Sequence, residues 1–294
     1  MKSLIPLSLL SLAARTHAFG LKEPTSALLT KYASDIAKLK EEAQAVVGDI
    51  STAPYNNDVF YLRYCLDDKG TDALKENLAW RLGEGKEICA SALAAFEKAT
   101  EVPDKWDNDA VRDAAPFGSS INKYITPSGC LITSTTQGDM LYIVRAGKIN
   151  DAEMMSVVSV ENMVDFLAYG KEVVSLVAND RSLKTDKVVY LITVNDLKGL
   201  DIIGGDDTFR KALSASSKQA TKLYPGLKGP TLIFNLPRLL SQLVKIFTPL
   251  FPKEVAARLK FERGPLEKVE ELVDVNYGGK FREEFMDDVN RLCY

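Results

Sequence analysis

Few residues of this chain could carry chemistry, and most of those that could lack the partners a reaction needs. Asp196 and Lys198 sit two apart after an apolar run and could be imagined as an acid/base pair. No nucleophile accompanies them, and a structural polar link at a strand end explains them equally well. Gly199-Leu-Asp-Ile-Ile-Gly204-Gly205 is glycine-bearing but has no G-K-[ST], so it is not a phosphate-cradling Walker loop, and its last two glycines read as the turn into a helix. Asp206-Asp207 read as helix caps, since a calcium site wants several regularly spaced oxygens. Cys65, Cys89, Cys130 and Cys293 are far apart, with no C-x-x-C pair, and the first two read as buried thiols on apolar helical stretches.

His17 is the only histidine, and it lies in a segment with its own character. Lys2 gives a positive start, Leu4–Ala14 is largely apolar, and Thr16 and Ala18 stand where a secretory signal peptide places its small residues. The run is too short to span a bilayer, and no later segment reaches about 20 apolar residues. Removal of residues 1–18 leaves 35 basic against 40 acidic residues, a net charge of −5 in place of −3. It also leaves no histidine, which excludes Ser-His-Asp and Cys-His mechanisms and removes the commonest nitrogen ligand for zinc. The acidic balance gives no electrostatic footprint for nucleic acid. No metal ligand set, cofactor motif or G-x-S-x-G nucleophile is present, so the expectation is a protein that is not an enzyme.

The elements that must position any site fall into two kinds. Residues 25–110 read as helical: Ala27–Val47 carries an apolar stripe, Asp58 could cap Val59–Leu66, and Leu74, Leu78 and Leu82 line a further helix. Pro103 and the polar run 104–109 mark a boundary. After residue 118 the pattern is mixed. Cys130–Ser134 and Met140–Arg145 read as a hairpin, Lys187–Val194 as a strand buried on both faces, and Thr231–Phe234 and Leu259–Phe261 as further strands. Helices are expected over Asn162–Ala178, Phe209–Leu223 and Leu239–Phe251. Strands alternating with helices argue for an α/β fold with a mainly parallel sheet. The helix at 239–251 stands out. Leu239, Leu243, Ile246 and Leu250 form one row, and Leu240, Val244, Phe247 and Phe251 form another beside it. So wide an apolar face is either ordinary core or a surface that meets lipid.

Several motifs together resemble the CRAL-TRIO family of lipid-binding proteins. Asp196-Leu197-Lys198-Gly199 resembles its D-L-K-G signature. Tyr224-Pro225 followed by Asn235-Leu236-Pro237 is similar to its Y-P-E-R…I-N-x-P segment, Thr248-Pro249-Leu250-Phe251 to its K-P-F-L, and Tyr277-Gly278-Gly279 to its closing Y/F-G-G. Upstream, Leu62-Arg63-Tyr64 and Leu78-Ala79-Trp80-Arg81 resemble the L-R-F-L…L-x-W-R of the helical module that precedes the lipid domain. Each motif alone is weak, whereas their order and spacing over residues 58–279 are specific.

The resemblance implies a small, mainly parallel sheet with helices enclosing a lipid pocket under a helical gate, preceded by an all-helical module. Taken with the signal-peptide pattern at the N-terminus, the expected division is a signal peptide over 1–18, a transit segment and leading helix over 19–57, the helical module over 58–112, the lipid domain over 113–279 and a helical tail over 280–294. The gate would be the 239–251 helix, with Leu239, Leu240, Leu243, Val244, Phe247, Leu250 and Phe251 touching a membrane transiently. Tyr142 and Thr193 match family positions that contact a choline-type head group, and each could equally be a satisfied core hydroxyl. Where inositol-lipid exchangers carry Glu and Lys, this chain has Gly226 and Arg258. Arg258 could still grip a phosphate, but Gly226 cannot replace a carboxylate, and Leu191 stands where the family has serine. The ligand implied is a phospholipid or an uncharged tocopherol-, quinone- or carotenoid-like molecule, carried without any cofactor or metal. The competing expectation is a lipid-regulated protein-interaction module without exchange. Ala18-Phe19-Gly20 resembles the junction of bipartite plastid presequences, which would place the protein in a plastid; the ER lumen or secretion is the next address, and the cytoplasm the last.

Overall fold

The computed structural model describes residues 23–51, 53–67, 70–102, 106–126, 130–134, 139–197, 205–234 and 259–262. The first part is helical: α1 (Thr25–Lys31), α2 (Ala33–Val47), α3 (Asp58–Cys65), α4 (Gly70–Leu82), α5 (Lys86–Ala99), α6 (Asn108–Asp113) and α7 (Gly118–Ile121). The hairpin strands β1 (Cys130–Ser134) and β2 (Met140–Arg145) follow. Then come α8 (Asp151–Val157), α9 (Val160–Thr185), β3 (Leu191–Asp196), α10 (Asp207–Leu223), β4 (Lys228–Phe234) and β5 (Leu259–Glu262). Among the described residues no helix is long and apolar enough to cross a membrane.

Local chemistry explains most boundaries. Asp206 opens α10 by accepting the Thr208 and Phe209 N–H groups at 2.7 and 2.9 Å, satisfying donors that the first turn leaves orphaned. Asn57, rather than Asp58, caps α3, accepting Phe60 N–H at 2.9 Å. Asp58 instead lies in the first turn, where its charge suits the positive helix end. The expected Ala27–Val47 helix is two helices joined at Tyr32 (φ −100°, ψ 13°).

The sheet order is β1-β2-β3-β4-β5, with β1 antiparallel to β2 and every later pair parallel. Strands that add always to the same edge through right-handed crossovers place their connecting helices on one face of the sheet. Accordingly α9 and α10 pack on each other, and α9 also packs on α5. Their shared core holds Trp80, Ala92, Val173, Val174, Val177 and Tyr224 together with Met140 at the start of β2. A second core joins Leu28, Ile36, Leu39 and Ala43 of the leading helices to Phe60, Tyr64, Leu74 and Leu78, and to Val188 and Tyr190 just before β3. The helical module and the sheet are therefore built on shared packing.

Candidate functional site

The register of three neighbouring strands brings the sequence-predicted residues together. Tyr142 on β2 is the partner of Thr193 on β3, and Thr193 is in turn the partner of Thr231 on β4. Partners in parallel strands project to the same face, because side chains alternate with a period of two. Tyr142, Thr193 and Thr231 thus form one row across the sheet.

Burial shows what kind of surface that row lies on. Along β3, Ile192, Val194 and Asp196 are 0 %, 1 % and 2 % exposed, whereas Leu191, Thr193 and Asn195 are only half-buried. On β2, Ile143 is buried between half-buried Tyr142 and Val144. The half-buried face is the one the helices cover. Met140 and Leu191, on the same face at the strand entrances, pack against the cluster that holds Val173, Val174 and Val177 of α9. Farther along the strands on this face, Tyr142, Thr193 and Thr231 are half-buried.

Of the residues singled out from sequence, Tyr142 and Thr193 are brought side by side. Arg258 lies outside the described residues, as do the gate positions Leu239, Leu240, Leu243, Val244, Phe247, Leu250 and Phe251. Thr231 was missed from sequence, since only the β3–β4 register puts it in the row.

A family model, the CRAL/TRIO domain, matches residues 128–279, just over half of the chain. The chain belongs to the CRAL/TRIO family. The family is one of lipid-binding proteins. The chain is also similar to a solved structure entitled "Crystal structure of Sfh5", with 12 % identity, a TM-score of 0.48, and 81 % of this chain and 79 % of that one covered. No curated protein matches it.

Two arginines upstream of the matched residues 128–279 tie the leading helices to them. Arg63 is 3 % exposed and reaches four acceptors. Its Nε donates to Asn179 Oδ1 at 2.7 Å and its other nitrogens to Gly226 O (2.8 Å), Val189 O (2.8 Å) and Ser182 Oγ (3.4 Å). Burial among neutral acceptors pulls its pKa down to about 10, which still leaves it charged at neutral pH. One side chain on α3 therefore holds α9, the entry to β3 and the turn before β4.

Arg81 does the same from α4. Its guanidinium forks onto Glu172 of α9, with both bonds at 2.7 Å, while Nε donates to Asn77 Oδ1 at 2.7 Å. Tyr224 Oη donates to Glu172 Oε2 at 3.0 Å, and Asn77 Nδ2 donates to Leu223 O at 2.8 Å. Burial works against the Arg81 charge, but Glu172 beside it more than offsets this, so its pKa stands above the ordinary value. The same burial pushes the neighbouring Cys89 thiol up to about 12, with Glu172 adding to the effect. That thiol is protonated and unreactive at neutral pH.

Gly226 is confined by its backbone and its neighbours. It has φ +64°, and a Cβ there would stand 2.9 Å from the Arg63 carbonyl oxygen and 3.2 Å from its Cβ. The turn is pressed against α3, and the position accepts no side chain without backbone movement.

Proposed function

We propose that this CRAL/TRIO chain holds a single lipid or other apolar molecule in an internal pocket and transfers or presents it between membranes, without catalysing a reaction. The observation that supports this most directly is the half-burial of Tyr142 and Thr193 on the sheet face that α9 and α10 cover. A parallel sheet normally seals such a face with apolar side chains, and an unsealed stretch bearing hydroxyls suits an apolar guest with one polar end. Enclosing acyl or isoprenoid chains contributes about 0.8 kcal/mol per methylene, and leaving the bilayer costs about the same. Exchange is then nearly balanced, and the few polar contacts decide which lipid stays. The 239–251 helix is the proposed gate, residues 58–112 the proposed helical module and residues 113–279 the proposed lipid domain. The test is mass spectrometry of lipid bound to residues 19–294 after incubation with a plastid membrane extract, paired with transfer between vesicles. One dominant lipid at near one per protein, moved between vesicles, is the expected result; an empty protein that moves none sinks the proposal.

Delivery to a plastid through a bipartite presequence is the proposed address. The packing of Leu28, Ile36, Leu39 and Ala43 into the second core favours a presequence that ends before Thr25, since cleavage at residue 48 would strip the core of four buried side chains. A fluorescent protein fused behind residues 1–24 should reach the plastid; retention in the ER or secretion would refute the address.

A further inference from the structure

We propose that Thr231 is a specificity-determining residue of the pocket, completing with Thr193 and Tyr142 a row of hydroxyls that selects a neutral lipid bearing one hydroxyl or carbonyl oxygen. This rests on the pocket reading given above.

Neighbouring strands lie about 4.8 Å apart, so the paired Thr193 and Thr231 hydroxyls can converge on a single ligand oxygen. Each hydroxyl both donates and accepts, which suits an alcohol or a carbonyl equally. Among the described residues no side-chain partner engages either threonine, and both remain half-buried. The sheet itself would be served as well by valine, which has the same shape and a high strand preference. Two adjacent hydroxyls on this face therefore have a use beyond the sheet.

The charge on this face narrows the ligand further. Met140, Tyr142, Val144, Leu191, Thr193 and Asn195, its described positions on β2 and β3, are all uncharged. Arg145 and Asp196 pair with each other at 3.5 Å and occupy the alternate positions of their strands, on the opposite face. Lys228, opposite Leu191 at the strand entrance, donates to Thr221 on α10 at 3.0 Å. Tyr142, Thr193 and Thr231 themselves offer a phosphate no counter-charge for its lost hydration, whereas an alcohol or carbonyl loses little and regains it from the threonines. Gly226, pressed on Arg63, adds no carboxylate for an inositol ring.

The test uses the full chain, wild type and Thr231→Val, incubated with phosphatidylcholine vesicles that contain phytol, phytane (the saturated hydrocarbon of the same branching, without the hydroxyl) or phosphatidylinositol. Bound lipid is then quantified by mass spectrometry of the re-isolated protein. Wild type is expected to load phytol in preference to either phospholipid. Thr231→Val should lower phytol loading about five- to tenfold, as the loss of one hydrogen bond to a desolvated group implies, and leave phytane loading and the melting temperature unchanged. Thr231→Ser, which keeps the hydroxyl, should load phytol as wild type does. Preference for a phospholipid, equal loss of phytol and phytane in Thr231→Val, no loss of either, or loss of phytol in Thr231→Ser each overturns the inference while leaving the pocket standing. Loading of none of the four lipids by wild type overturns the pocket and the inference together.

Discussion

Arg81 and Glu172 meet through two parallel 2.7 Å hydrogen bonds between helices α4 and α9, with side chains 6 % and 1 % exposed. Tyr55 stacks on the guanidinium 4.5 Å from its centre, and Tyr224 donates to the carboxylate. A charge buried this deeply is tolerated only because its partner is fixed.

Removing one partner should therefore cost far more than removing both. Arg81→Met alone, or Glu172→Leu alone, is expected to destabilise by about 3–5 kcal/mol, because each leaves an uncompensated buried charge. The double variant should recover most of that loss. Urea unfolding of the three variants checks this. Additive losses would show that the pair is not coupled.

Gly226→Glu restores the carboxylate that inositol-lipid exchangers carry after the Y-P pair. It should not confer inositol-lipid binding here, since the new side chain would start 2.9 Å from the Arg63 carbonyl. The left-handed backbone at Gly226 adds a cost of about 1–2 kcal/mol. Thermal melts and a phosphatidylinositol loading assay decide; gained loading at an unchanged melting temperature would show the turn to be open.

Lys171 on α9 donates to Ser216 on α10, to its carbonyl oxygen at 3.1 Å and to its hydroxyl. Burial lowers its pKa to about 8 from the ordinary 10.5. Between these values the unfolded chain binds more protons than the native one, so this group's destabilising effect is full below pH 8 and fades as pH rises to 10.5. Lys171→Met should thus be more favourable relative to wild type at pH 7 than at pH 10. Unfolding free energies at both pH values test it, and a pH-independent difference would rule it out.

Phe247 and Phe251, on the proposed gate, should matter more to exchange than to folding. Replacing both with Asp is expected to slow lipid transfer between vesicles by an order of magnitude or more, because burying a charge in the bilayer interface opposes docking. The cooperative melt should survive. Its loss would assign the helix to the core instead.

The parts of the molecule that were legible in sequence are those that local pattern fixes. The β-branched run ending in Thr193-Val194 announced β3, Asp206 announced the start of α10, and alternating strands and helices announced a parallel sheet. Even so, Val188–Tyr190 belong to packing before the ladder begins, because Val189 gives its carbonyl to Arg63. Thr231 and the two arginines were illegible for a different reason. Thr231 joins the row only through pairing with β3, and Arg63 and Arg81 acquire their roles from Asn179 and Glu172, 116 and 91 residues away. Motif resemblance flagged both arginines, yet nothing near them in the chain says what they hold.

The reach of Arg63 has a consequence for how the protein is made. Its last acceptor, the carbonyl of Gly226, lies 163 residues downstream. During synthesis the helical module leaves the ribosome with a guanidinium that cannot complete its bonds until the turn before β4 has also emerged. The Arg63 anchor is therefore completed late in synthesis, after most of the chain has been made. The last of these bonds closes only once the turn leading into the strand that carries Thr231 has been made.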